Sequence, residues 1–146
     1  MKKIVKIFTP LAIGTIVGLI TSKGIKDYNM LISPPLAPPK ILFSIAWTIL
    51  YTTIGYSYYL YSKKDNKYKK LYITNLIMNY LWPILFFSLK QRILGSILIV
   101  ALLIETIIYM KNIKKVDNTS FYLLIPYLAW LTFATYLSIG TTLLNM

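Results

Sequence analysis

Three long stretches of this chain, Ile41 to Tyr61, Leu71 to Leu89 and Phe121 to Leu144, contain no charged residue and lie between short clusters of lysines. At about 1.5 Å per helical residue, each is long enough to cross roughly 30 Å of hydrocarbon. Two further stretches fit, which predicts an all-α integral membrane bundle of five transmembrane helices. The expected spans are Ile4 to Ser22, Ile41 to Ser62, Leu71 to Leu89, Ile93 to Met110 and Phe121 to Leu144. Residues 1–146 then form one domain without linkers. Lys6 lies close enough to the end of the first span to snorkel. The basic start and apolar middle of MKKIVKIFTPLAIGTIVGLITS also suit a signal peptide, but no small-x-small cleavage site follows it, which favours a retained helix. Composition agrees, since only 14% of the residues are charged against about 25% in soluble domains.

The net charge of +12 raises the question of nucleic acid. Its distribution answers otherwise. With five spans, one face carries Lys2, Lys3, Lys6, Lys63, Lys64, Lys67, Lys69, Lys70, Lys111, Lys114 and Lys115. The other carries Lys23, Lys26, Lys40, Lys90 and Arg92, so eleven cations stand against five. The excess of Lys and Arg in cytoplasmic loops predicts a multi-pass protein of the cell membrane with its N-terminus in the cytoplasm, its lysines touching anionic lipid rather than nucleic acid.

The chain has no Cys and no His, which leaves no disulfide, thiolate nucleophile, His-based zinc site or His-ligated haem. No metal site is expected. Three of the four carboxylates, Asp27, Asp65 and Asp117, fall in connectors, so there is no intramembrane acid pair. Neither a Walker loop nor a dinucleotide-binding glycine fingerprint occurs. Glu105, inside ILIVALLIETIIYM, is the one acid within a span. It is a functional candidate; equally, it can sit near the interface, be protonated, or pair with a lysine.

Aromatic and amide residues line up on helical faces: Trp47, Tyr51 and Tyr58 in the second span, Asn75, Asn79, Trp82 and Phe86 in the third, and Tyr127, Trp130, Ala134 and Leu137 in the fifth. Such stripes serve bundle packing and interfacial belts as readily as a ligand wall. Pro83 and Pro126 cannot donate to the carbonyls of Asn79 and Tyr122, so both helices should kink beside their stripes. Asn79 needs a partner, from another helix or from a ligand. SPPLAPPK, residues 33–40, is stiff and poor in donors. It fits either a lid over a cavity or a rigid turn opening the second helix. Gly14 and Gly18, in GTIVG, suit internal packing or a homodimer.

The segments PPLAPPK, FSIAWTILYTTIGYSYYLY, NYLWPILFF and IPYLAWLTFATYLS, in that order, resemble the TspO/translocator protein family, also called tryptophan-rich sensory proteins or peripheral benzodiazepine receptors. The resemblance implies a ligand pocket among five helices that opens under the first loop, residues 23–40. It binds protoporphyrin IX or haem as ligand, with no cofactor required, and acts in porphyrin sensing, transport or light-dependent degradation. By motif, Tyr28 and Pro38 would belong to the lid, Trp47 and Tyr51 to the second-helix wall, Asn79 and Trp82 to the third, and Trp130 and Ala134 to the fifth. Trp47 and Trp130 match the two tryptophans implicated in light- and oxygen-dependent porphyrin degradation, the one enzymatic activity the resemblance raises. A scaffold or transporter for another apolar ligand, such as a sterol or lipid, is the alternative. The chain departs from the family at Ile41, where relatives often carry Trp, and after Tyr136, where no Lys or Arg completes the sterol motif.

Overall fold

The computed structural model describes residues 2–28, 30–37 and 40–146, with the side chains of Lys2 and Lys40 excepted. The chain is helical nearly throughout: α1 (Lys2–Tyr28), α2 (Lys40–Ser62), α3 (Lys69–Pro83), a π-helical turn (Ile84–Ser88), α4 (Arg92–Lys114), α5 (Asn118–Leu123) and α6 (Ile125–Leu144). No strand occurs among the described residues. Among the described residues, four helical stretches are long and apolar enough to cross a membrane: Lys3–Tyr28, Lys69–Ser88, Arg92–Lys114 and Asn118–Leu144. α2 has the length, 23 residues, and carries no charged residue after Lys40.

The helices run past the apolar stretches that mark them. α1 continues through Tyr28, so residues 23–28 are helix rather than part of the expected loop, and α4 reaches Lys114 rather than Met110. Hydropathy marks what lies in hydrocarbon, whereas lysines are good helix formers in water and extend the same helix beyond it. Both expected proline breaks are present. α3 ends at Pro83 and passes into the π turn, closed by the Leu89 amide donating to the carbonyl of Ile84 at 2.9 Å. The fifth apolar stretch divides at Leu124 into α5 and α6, with Pro126 in the first turn of α6, where its missing N–H costs nothing. Asp117 caps α5, its carboxylate accepting from the Ser120 amide at 3.0 Å.

Large apolar side chains face outward, while polar ones are packed among the buried hydrophobics of the core. Ile4, Leu19, Ile49, Ile97 and Ile104 are exposed around the bundle, while Asn75, Asn79, Thr106, Ser138 and Thr141 are buried. In water this would be inverted; in lipid the outward face meets hydrocarbon and the inward face finds hydrogen-bond partners. α1 lies along α2 at close range, since a Cβ on Gly55 would come within 1.9 Å of the carbonyl oxygen of Ile7. Toward the Lys64 end, tyrosines fill the core: Tyr58 and Tyr72 stack at 3.9 Å, and Tyr109 donates to the Tyr61 hydroxyl at 2.9 Å. Toward the other end, Tyr28, Trp82, Phe86, Phe87, Ile99 and Ala134 form a second cluster.

Candidate functional site: a cavity between the first three helices

A cavity of about 400 Å³ lies between α1, α2 and the junction of α3 with the π turn. Aromatic rings supply its far wall: Phe43, Trp47 and Tyr51 from α2, Trp82 from α3, Phe87 from the π turn and Tyr28 from the end of α1. The near wall is small and weakly polar, with Gly14, Thr15, Gly18, Thr21 and Ser22 of α1. The two glycines of GTIVG therefore do different work. A Cβ on Gly14 would meet the Tyr51 ring at 2.4 Å, so this glycine serves packing within the chain, whereas one on Gly18 would meet nothing within 4 Å. Thr15, Gly18, Leu19 and Ser22 on α1, with Ser44 and Thr48 on α2, are exposed at its border, so the cavity also opens sideways between these two helices.

The structure brings together five of the expected site residues. Tyr28, Trp47, Tyr51, Asn79 and Trp82 all line the cavity. Trp47 stacks on Tyr51 with centroids 5.3 Å apart. Trp130 sits one layer behind, edge-on to Trp47 at 6.3 Å and to Phe43 at 5.6 Å, and does not reach the cavity surface. Ala134 is likewise buried in the second cluster, away from the lining. The indole N–H groups of Trp82 and Trp130 are buried without a partner; that of Trp82, on a lining residue, is a donor to which a ligand acceptor is suited. Pro38 lies outside the described residues, and so does Pro39.

Asn79 finds its partners on neighbouring helices. The Tyr51 hydroxyl donates to Asn79 Oδ1 at 2.7 Å, and Asn79 Nδ2 donates to the Tyr127 hydroxyl at 2.8 Å. Glu105 pairs with Asn75 Nδ2 at 2.8 Å; among the described residues no lysine forms an ion pair with it. Sequence reasoning treated Asn75 as a stripe residue and did not connect it with Glu105. The signal was there in two polar residues at mid-span on adjacent helices.

The connector before α2 is fastened at its described residues to the end of α6. Asn145 exchanges two hydrogen bonds with the backbone of Ile32, its Oδ1 accepting at 3.1 Å and its Nδ2 donating at 2.9 Å. Tyr136 donates to the Pro35 carbonyl at 2.6 Å. The Ala37 amide closes a turn onto Pro34 at 3.3 Å, with Leu36 in the left-handed region at φ 70°. Below this turn the Tyr28 hydroxyl lies 3.3 Å from that of Thr141. Tyr136, unaccompanied by the basic residue of a sterol motif, is thus a latch for the loop.

The sequence of this chain matches the model of the TspO/MBR family over residues 6–144. It is 35% identical to the tryptophan-rich protein TspO of Archaeoglobus fulgidus, covering 99% of this chain and 97% of that protein. It is 36% identical to the translocator protein homolog of Schizosaccharomyces pombe over 93% of this chain and 87% of the other. The human translocator protein is 30% identical over 87% of this chain and 80% of its own. With apolar membrane-length helices and a match running nearly end to end, the chain is a multi-pass membrane protein that belongs to the TspO/MBR family.

Proposed function

We propose that this chain is a five-span protein of the cell membrane, N-terminus in the cytoplasm, whose cavity binds a flat tetrapyrrole such as protoporphyrin IX or haem for sensing, transport or light-driven degradation. The observation that carries the reading is the aromatic wall: Trp47, Tyr51, Trp82, Phe87 and Tyr28 around about 400 Å³, within the roughly 300–1,000 Å³ range of small-molecule sites. Indole and phenol faces stack on an extended π-system. Because the chain contains neither His nor Cys, iron ligation adds little, and metal-free protoporphyrin should bind about as well as haem. Eleven cations against five support that orientation.

Light-driven degradation would use the two tryptophans as a relay. Trp47 meets the ligand and Trp130 meets Trp47 at 6.3 Å, so an electron passed from Trp47 to the excited porphyrin is replaced from Trp130 and in turn from a reductant in solution, while the reduced porphyrin hands its electron to dioxygen and the superoxide formed oxidises the ring. The test is titration of purified protein with protoporphyrin IX, followed by illumination with and without oxygen, in wild type and in Trp47→Phe and Trp130→Phe. Binding should fall modestly in Trp47→Phe and little in Trp130→Phe, while conversion should collapse in both. Wild-type conversion in the double variant would remove the enzymatic part and leave the binding part standing. The sideways opening between α1 and α2 favours a second reading, in which an apolar ligand such as a sterol or lipid enters from the bilayer.

A further inference from the structure

Behind the cavity a continuous chain of hydrogen bonds crosses the bundle, and every donor in it points the same way. Tyr51 donates to Asn79 Oδ1 (2.7 Å), Asn79 Nδ2 to Tyr127 (2.8 Å), Tyr127 to Asn75 Oδ1 (2.9 Å) and Asn75 Nδ2 to Glu105 Oε1 (2.8 Å). The direction is fixed at the far end. Thr106 spends its single proton on the carbonyl of Leu102 at 2.8 Å, so toward Asn75 Nδ2, also at 2.8 Å, its oxygen only accepts. Glu105 Oε1 accepts from the same NH₂ at 2.8 Å, an arrangement that leaves any proton of the carboxyl on Oε2. Two acceptors therefore hold the NH₂ of Asn75 toward α4 and turn its carbonyl to Tyr127. Tyr127 must then accept from Asn79, and the carbonyl of Asn79 must take the proton of Tyr51.

The geometry points to Glu105 and Thr106 as specificity-determining positioning residues that lock the Tyr51 hydroxyl proton away from the cavity, so that its oxygen faces a ligand as an acceptor. The cavity then selects flat aromatic ligands with an N–H or O–H donor on the edge that meets Tyr51. Acceptor groups on that edge find no proton there. A reversed chain, with Tyr51 donating into the cavity, requires both amides to turn over, which leaves the Asn75 carbonyl facing the two acceptors of α4. This inference rests on the reading that the cavity holds a flat aromatic ligand and names the chemistry of one edge of it.

Carbazole and dibenzofuran test it, having nearly the same shape and differing by an N–H in place of an oxygen. Neither is a tetrapyrrole. Wild-type protein in lipid nanodiscs should bind carbazole about tenfold more tightly, the worth of one matched against one unmatched hydrogen bond. In Glu105→Gln/Thr106→Val the substituted amide can turn its NH₂ toward Asn75, the chain is free to reverse, and the ratio should fall toward one. Returning a hydroxyl with Glu105→Gln/Thr106→Ser should restore it, which a general loss of packing would not do. Should the valine variant not fold, Tyr51→Phe decides instead. It removes the accepting oxygen and leaves Asn79 Oδ1 bare and accepting in its place, so the preference for carbazole must persist; a ratio that falls to one or inverts overturns the lock. Equal binding of the two probes to wild type, or binding of neither, overturns the lock; the cavity reading falls with it only if protoporphyrin IX fails to bind as well.

Discussion

Gly18 offers the sharpest way to ask whether ligand occupies the cavity. A Cβ there meets nothing within 4 Å and the residue lines the cavity, so Gly18→Leu places a side chain into empty space instead of into a neighbour. Its four carbons each take up roughly as much room as a water, ~30 Å³. Together they fill about 120 Å³, nearly a third of the 400 Å³. At about 24 cal/mol per Å³ of lost apolar filling, a ligand excluded from that volume loses about 2.9 kcal/mol, or roughly a hundredfold in affinity. Stability should hold or rise by up to about 1 kcal/mol, since glycine is a poor helix former and Gly18 does not use a positive φ. The assay is quenching of tryptophan fluorescence by protoporphyrin IX in detergent micelles, beside a thermal melt of the same sample. A folded Gly18→Leu protein with wild-type affinity would refute the placement of the ligand between α1 and α2.

Other outcomes follow from neighbouring features. Gly14→Ala should destabilise by about 1–3 kcal/mol and weaken ligand binding, because its methyl group meets the Tyr51 ring at 2.4 Å; an unchanged melt would show that α1 shifts freely. Asp117 accepts from Lys64 at 2.7 Å and from Ser120, and the Lys64 ammonium holds its carboxyl below the usual carboxylate range. A depressed folded value means its stabilisation is complete above the unfolded value near pH ~4 and is lost as pH falls through the folded one. Asp117→Ala should therefore cost about 1 kcal/mol at neutral pH and progressively less under acid, as read by melts across pH. Single cysteines placed at Ser33 and Asn66 should react with an impermeant maleimide from opposite faces of the membrane, and labelling of both from outside intact cells would break the five-span topology.

How far the sequence could be read is clearest residue by residue. The bundle was legible because uncharged stretches of membrane length have few other uses. The helix ends were not, since Lys23, Lys26 and Lys111 continue their helices into water. Pro83 and Pro126 announced breaks without announcing their form: one produced a π turn, the other a clean restart at Ile125. Helical spacing put Trp47 and Trp130 on inward faces, yet period alone cannot say which inward residue meets a cavity and which meets another ring. That depends on how far apart the helices stand. The partners of Asn79 come from α2 and α6, 28 and 48 residues away in the chain, and only the assembled bundle brings them within reach.

α1 comes closest to its neighbours through glycines at its two ends, and between them one glycine, Gly18, faces open space. At one end Gly55 of α2 admits the Ile7 carbonyl, and Gly14 admits the ring of Tyr51; at the other, a Cβ on Gly24 would lie 2.3 Å from the Phe87 carbonyl. Between these contacts Gly18 meets nothing. The outer contact depends on the π turn, which begins after Pro83 and carries Phe87 to α1. Lys90, at φ 56°, ends that turn and pairs with Asp27 at 3.0 Å, tying it to the last turn of α1. Glycines that let backbones meet thus hold the cavity open, by setting where α1 can approach and leaving the middle to a ligand. A substitution at Gly24 should therefore change the cavity without touching its lining, whereas one at Gly18 fills it directly.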